Sequence, residues 1–74
     1  MDKLLTLTVT CYDSDMFDTC AQYLKKQGTI GLYYHNYDTI YQIDVVDHSR
    51  DLISKIWSVL ESYGVELTLR NYKR

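Results

Sequence analysis

With 74 residues, 46% of them hydrophobic, the chain reads as a single small domain spanning residues 1–74, and a domain of this size buries only about 60% of the surface its unfolded chain exposes. Such a thin core leaves little wall for a deep catalytic cleft. A formal net charge of −2 excludes a general attraction to phosphate backbones or anionic membranes. No run of 18 apolar residues occurs and no signal peptide precedes the first apolar alternation, so a cytoplasmic location is expected and no membrane partner.

The first pattern is Leu4 to Cys11, LLTLTVTC. Leu5, Leu7, Val9 and Cys11 fall on one side of an extended strand and Leu4, Thr6, Thr8 and Thr10 on the other. Tyr12-Asp13-Ser14-Asp15 follows, rich in side chains that accept hydrogen bonds from the free amides of a helix start. The helix runs to about Gln27, with Phe17, Cys20, Ala21 and Leu24 on one face, and Gly28 supplies a left-handed stop. Cys11 and Cys20 are the two cysteines. Both come from buried sides and read as small buried thiols near one another, in preference to a disulfide or a metal pair.

Residues 30–46 read as two strands joined by a turn near Asn36-Tyr37-Asp38. Ile30, Leu32 and Tyr34 face one way and Gly31, Tyr33 and His35 the other, while Tyr41, Ile43 and Val45 continue the buried face. Asp47-His48-Ser49 then opens a second helix, with Asp51 in its first turn. Leu52, Ile56, Val59, Leu60 and Tyr63 form its apolar stripe, with Ile53 beside it. Trp57 lies roughly 100° from the centre of that stripe, at the margin between buried and exposed. Gly64 ends the helix, and Val65, Leu67 and Leu69 alternate with Glu66, Thr68 and Arg70 as a last strand.

The order βαββαβ predicts an α+β fold, a ferredoxin-like sandwich of a four-stranded antiparallel sheet with two helices on one face. The first strand is expected to be central and the second to be an edge, with each helix a right-handed crossover between parallel neighbours. Through LTLTVTCYDSDMFDTCAQYLKKQGTI and DLISKIWSVLESYGVELTL, nearly the whole chain resembles the ACT-type regulatory domains. The resemblance implies pairing through sheets or helices and a small ligand held at a dimer interface by the turn after the first strand, here Asp13, Ser14 and Asp15. Such domains commonly carry a glycine in that turn; this chain has Tyr12, Asp13, Ser14 and Asp15.

Asp13, Asp15 and Asp18 cluster at a helix start and could hold a divalent cation, but capping and complementing the helix dipole accounts for them better. Val9 to Asp13 also resembles the start of the nuclease subunit of CRISPR adaptation complexes, without the rest of that family's pattern. His35 and His48 come from different elements with no nucleophile partner, and there is no glycine-rich phosphate loop. The expectation is therefore no enzyme, no metal and no cofactor. RNA-recognition motifs share this order of elements and stack bases on aromatics of the central strands. Here those strands offer Leu4, Thr6, Thr8 and Thr10, and Ile40, Gln42 and Asp44, so a nucleic-acid role would fall to Tyr33, Arg70, Tyr72, Lys73 and Arg74 and ranks low.

Four of the eight tyrosines fall between Tyr33 and Tyr41. Tyr34 and Tyr41 fit a core with hydroxyls at its rim; Tyr33 and Tyr37 face the other way. Exposed tyrosines are enriched at protein interfaces, although β propensity alone also places tyrosine in strands. With a marginal Trp57, the pattern predicts a protein-binding surface of Tyr33, His35, Tyr37, Asp38 and Trp57, beside an edge strand able to add a partner's strand. The function expected is a small protein-binding or regulatory module that masks or bridges another protein, with homodimerisation through the open sheet or the second strand as a component. In size and composition the chain resembles small inhibitors from phages or mobile elements, anti-CRISPR proteins among them. An ACT-like ligand sensor and a nucleic-acid module are the alternatives.

Overall fold

The computed structural model describes residues 4–72, and side chains as far as residue 70. The chain runs β1 (Leu4–Cys11), α1 (Ser14–Lys25), β2 (Gly31–Tyr37), β3 (Ile40–Asp47), α2 (Arg50–Glu61) and β4 (Glu66–Tyr72). The strands form one sheet in the order β2-β3-β1-β4, and every neighbouring pair is antiparallel. This is the ferredoxin-like α+β arrangement, with β1 central and β2 at an edge. The helices, however, do not join parallel neighbours. β3 takes the place beside β1, so α1 connects two strands separated by β3, and α2 connects two separated by β1.

Residues opposite one another in an antiparallel pair point to the same face. Leu7 opposes Val45 on one side and Leu69 on the other, and Val9 opposes Ile43 and Leu67. Leu5, Leu7, Val9 and Cys11 thus share a floor with Ile43 and Val45, closed by Cys20, Ala21 and Leu24 of α1 and by Ile53, Ile56 and Leu60 of α2. The buried face of α1 is the one its spacing predicts. α2 is rolled relative to expectation: Ile53 is buried and Trp57 packs on the core, while Val59 is half-buried and Tyr63 exposed. The reason is position, because α2 must cover β4 as well as the sheet centre, which turns it towards Leu67 and Leu69.

Local chemistry sets the ends. The Asp13 carboxylate accepts the Asp15 N–H at 3.1 Å, and the Ser49 hydroxyl accepts the Leu52 N–H at 3.1 Å. Gly28 and Gly64 adopt φ of +67° and +80° just past the helices, a left-handed conformation that side chains rarely tolerate. The hairpin turns later than expected: Tyr37 pairs with Ile40, so the loop is Asp38-Thr39, and Asp38 takes φ +63°, which Asp accommodates better than most residues. Ile30, expected to face inward, precedes β2 as an exposed bend residue. Its N–H donates to the buried carboxylate of Asp47 at 3.1 Å, and the second oxygen of that carboxylate accepts the Ser49 N–H at 2.8 Å. Asp47 therefore ties the approach to β2 to the start of α2.

Candidate functional site

The face of the sheet away from the helices carries a polar relay that touches all four strands. Arg70 of β4 donates from Nη2 to the Thr8 hydroxyl at 3.0 Å. Thr8 donates in turn to Asp44 Oδ1 at 2.8 Å, and the other Asp44 oxygen lies 3.2 Å from His35 Nε2 on β2. Gln42 donates to the Thr10 hydroxyl at 3.1 Å. Thr8 is 9% exposed and Thr6 only 3%, so this side of β1 is covered by its neighbours' side chains. Apart from the Thr6 hydroxyl, which is buried without a partner among the described residues, its polar groups are spent on each other, which suits a rigid platform better than a surface that offers hydrogen bonds to a ligand.

At the β2 edge the character changes. Tyr33 and Tyr37 are each 57% exposed, on the same face as the relay, with partly exposed His35 between them and its ring stacked on Tyr37 at 6.1 Å and 10°. The far edge of the Tyr33 ring lies over Gly31, where a Cβ would stand 2.9 Å from Cε2 and 3.1 Å from the hydroxyl oxygen. Tyr34, expected in the core, is 45% exposed. Only α1 reaches it there: the ring meets Phe17 edge-on at 6.1 Å, and Phe17 leans on Tyr41 at 5.2 Å. Asp38 is exposed at the turn.

Trp57 does not join this surface. It is half-buried on α2 beside Leu69 of β4, at the opposite edge of the sheet, where Ile53, Ser54, Trp57, Ser58 and Leu69 line a shallow hollow of about 240 Å³. Leu69 itself is 40% exposed. This second apolar edge was not singled out from the sequence; the signal available was an alternating strand placed at the sheet margin, where one helix cannot cover both Leu67 and Leu69.

Of the residues suggested for a small ligand, Asp13 lines a cavity of about 230 Å³ with Tyr12, Met16, Tyr63 and Glu66, whereas Ser14 and Asp15 lie outside that lining, exposed. The Asp13 carboxylate is engaged in capping. Tyr12 donates its hydroxyl to Glu66 Oε1 at 2.8 Å. That bond, with some burial and the charge of Glu66, raises the Tyr12 pKa. Among the described residues no three His, Cys, Asp or Glu side chains converge as metal ligands, so Asp13, Asp15 and Asp18 do not assemble one. Cys11 and Cys20 are buried free thiols. Burial raises both, Cys20 to about 12 with the help of Cys11, which disfavours their thiolate forms.

For nucleic acid, Tyr33 and Arg70 share the open face but occupy opposite edges, three strand spacings or about 14 Å apart. The Tyr72 side chain, Lys73 and Arg74 lie outside the described residues. No helix among the described residues is long and apolar enough to cross a membrane.

No family model and no curated protein matches this chain. Solved structures do. The de novo designed protein Foldit4 shares 6% identity at a TM-score of 0.66 over 100% of this chain and 99% of its own. The de novo designed protein Ferredog-Diesel shares 13% at 0.68 over 95% and 86%. The peptidoglycan binding domain of the B. subtilis cell wall lytic enzyme CwlC shares 12% at 0.53 over 99% and 94%. At such identities the likeness establishes the fold alone. Two of the three are designs, so this arrangement of elements is reached without common ancestry.

Proposed function

We propose that the chain is a small non-enzymatic protein-binding module that uses the outer face of β2 to mask a surface of another protein. The observation that carries this is the row Tyr33, His35 and Tyr37, two tyrosines more than half exposed around a stacked imidazole, on a strand whose outer side is unpaired among the described residues. Tyrosine offers large contact area with few rotatable bonds, and the free backbone of an edge strand can add a partner's strand. The relay beneath anchors His35 at the centre of the row through Asp44. A small inhibitor that blocks a partner's working surface would act in this way.

The test is capture of partners from lysate by the wild type beside a Tyr33→Ala/Tyr37→Ala variant whose circular dichroism matches it. A protein retained by the first and lost by the second supports the reading; equal retention by both overturns it.

One observation favours a second reading, an ACT-like ligand sensor: the cavity at the end of β1, where Tyr12, Asp13 and Glu66 meet Met16 and Tyr63. A ligand that binds only the folded state raises the melting temperature by mass action. Reproducible stabilisation by one amino acid would favour this reading, and none across the full set would remove it.

A further inference from the structure

We propose that β4 is the seam of a homodimer, in which two copies pair antiparallel about Thr68. The outer side of β4 is unpaired among the described residues, and its first five residues are Glu66, Leu67, Thr68, Leu69 and Arg70. A two-fold axis along the sheet normal keeps both helix layers on the same side and makes the contact self-complementary, as a closed dimer requires. With Thr68 opposite its own copy, Leu67 meets Leu69 of the second copy and Glu66 meets Arg70, each twice. The apolar pairs fall on the helix face and the charged pairs on the open face, because opposite residues share a face.

No neighbouring register does this. A slip of one residue sets helix-face side chains against open-face ones. A slip of two puts Glu66 opposite Thr68 or Tyr72 and Arg70 opposite Gly64 or Thr68, leaving both charges unmatched. Edge strands are ordinarily blunted by proline, bulges or charged side chains. The chain has no proline, and β4 instead carries opposite charges placed symmetrically about its central threonine.

The helix side supplies the apolar complement. The hollow of about 240 Å³ between α2 and β4 is bounded by Ile53, Trp57 and Leu69, and Leu69 is exposed although it lies opposite the fully buried Leu7. A second copy brings its own Leu67 against Leu69 and its own α2 alongside, extending the core layer across the seam. The product is one eight-stranded sheet with a β2 hairpin at each end. The proposal goes beyond the masking function and does not depend on it: the seam and the tyrosine row lie on opposite edges.

Sedimentation equilibrium over a range of concentrations tests it. The wild type should be dimeric. Glu66→Arg and Arg70→Glu each set like charges opposite one another twice, and each should raise the dissociation constant about tenfold. Mixed in equal amounts, the two variants pair opposite charges at both ends of the seam, so the mixture should associate more tightly than either alone. Since Glu66 also accepts from Tyr12 and Arg70 donates to Thr8, this recovery separates the cross-copy pair from any loss of those internal bonds. Leu69→Lys, at an exposed position, should abolish the dimer with the circular dichroism unchanged. A wild type that stays monomeric overturns the proposal. So does a dimer indifferent to Leu69→Lys and to both reversals, or one lost instead in Tyr33→Ala/Tyr37→Ala.

Discussion

β1 and β2 invert the usual assignment of polar residues to the surface and aromatic ones to the core. In β1 the threonines Thr6 and Thr8 are buried, while in β2 Tyr33, Tyr34 and Tyr37 are largely exposed. The difference comes from rank in the sheet. β1 has a neighbour on each side and helices above, so even its helix-distal face is roofed by Arg70, Asp44 and Gln42. β2 has one neighbour and the flank of one helix. The Thr8 hydroxyl is tolerable at the centre because Asp44 and Arg70 are within reach, whereas the Thr6 hydroxyl is buried without a partner among the described residues; a tyrosine's ring is tolerable at the margin because its hydroxyl stays wet. Rigidity is thereby concentrated in β1 and contact area in β2.

That contrast can be broken at four places, from the largest effect to the smallest. Leu7→Ala removes the residue at the centre of the floor and should cost about 2–5 kcal/mol in denaturant unfolding; a loss well below that range would mean that β1 is not the keystone. Asp47→Ala orphans the N–H groups of Ile30 and Ser49 and should cost about 1–3 kcal/mol, with faster amide exchange at both positions. Thr8→Val keeps the shape but deletes the link between Arg70 and Asp44, an expected loss of about 1 kcal/mol read as a lower denaturation midpoint. Tyr37→Ala should change stability by no more than about 0.5 kcal/mol while weakening partner capture. Unfolding by this last variant would place the β2 tyrosines in the core and erase the contrast.

Much of this fold is written in short-range patterns. The alternation of LLTLTVTC, the spacing of Cys20, Ala21 and Leu24, and the glycines after both helices each state a local preference, and all are met in the structure. What the sequence conceals depends on which element lies beside which. The threonine side of β1 reads as solvent-facing because its roof comes from residues 32 to 62 positions further along the chain. The roll of α2 towards Ile53 and Trp57 depends on β4 being covered by that helix. For the same reason the sequence pattern groups Trp57 with the hairpin although the sheet order sets them at opposite edges. Asp47 reads as a helix-start residue; its second partner, the Ile30 amide, is invisible until β2 is docked. The tyrosine row was legible as a set because alternation assigns faces without reference to the rest of the fold.

Gly31 has a consequence of its own. The far end of the Tyr33 ring lies across it, where a Cβ would stand 2.9 Å from Cε2, so the missing side chain leaves room for this exposed ring to lie along the strand. A ring that can lie along the strand has one favourable orientation ready for a partner, which lowers the ordering cost of docking there. A Cβ at position 31 would oblige the ring to turn aside, and Gly31→Ala should therefore remove that orientation. The resulting weakness would appear as an entropic penalty on association, in a variant whose contacts, once made, are the same.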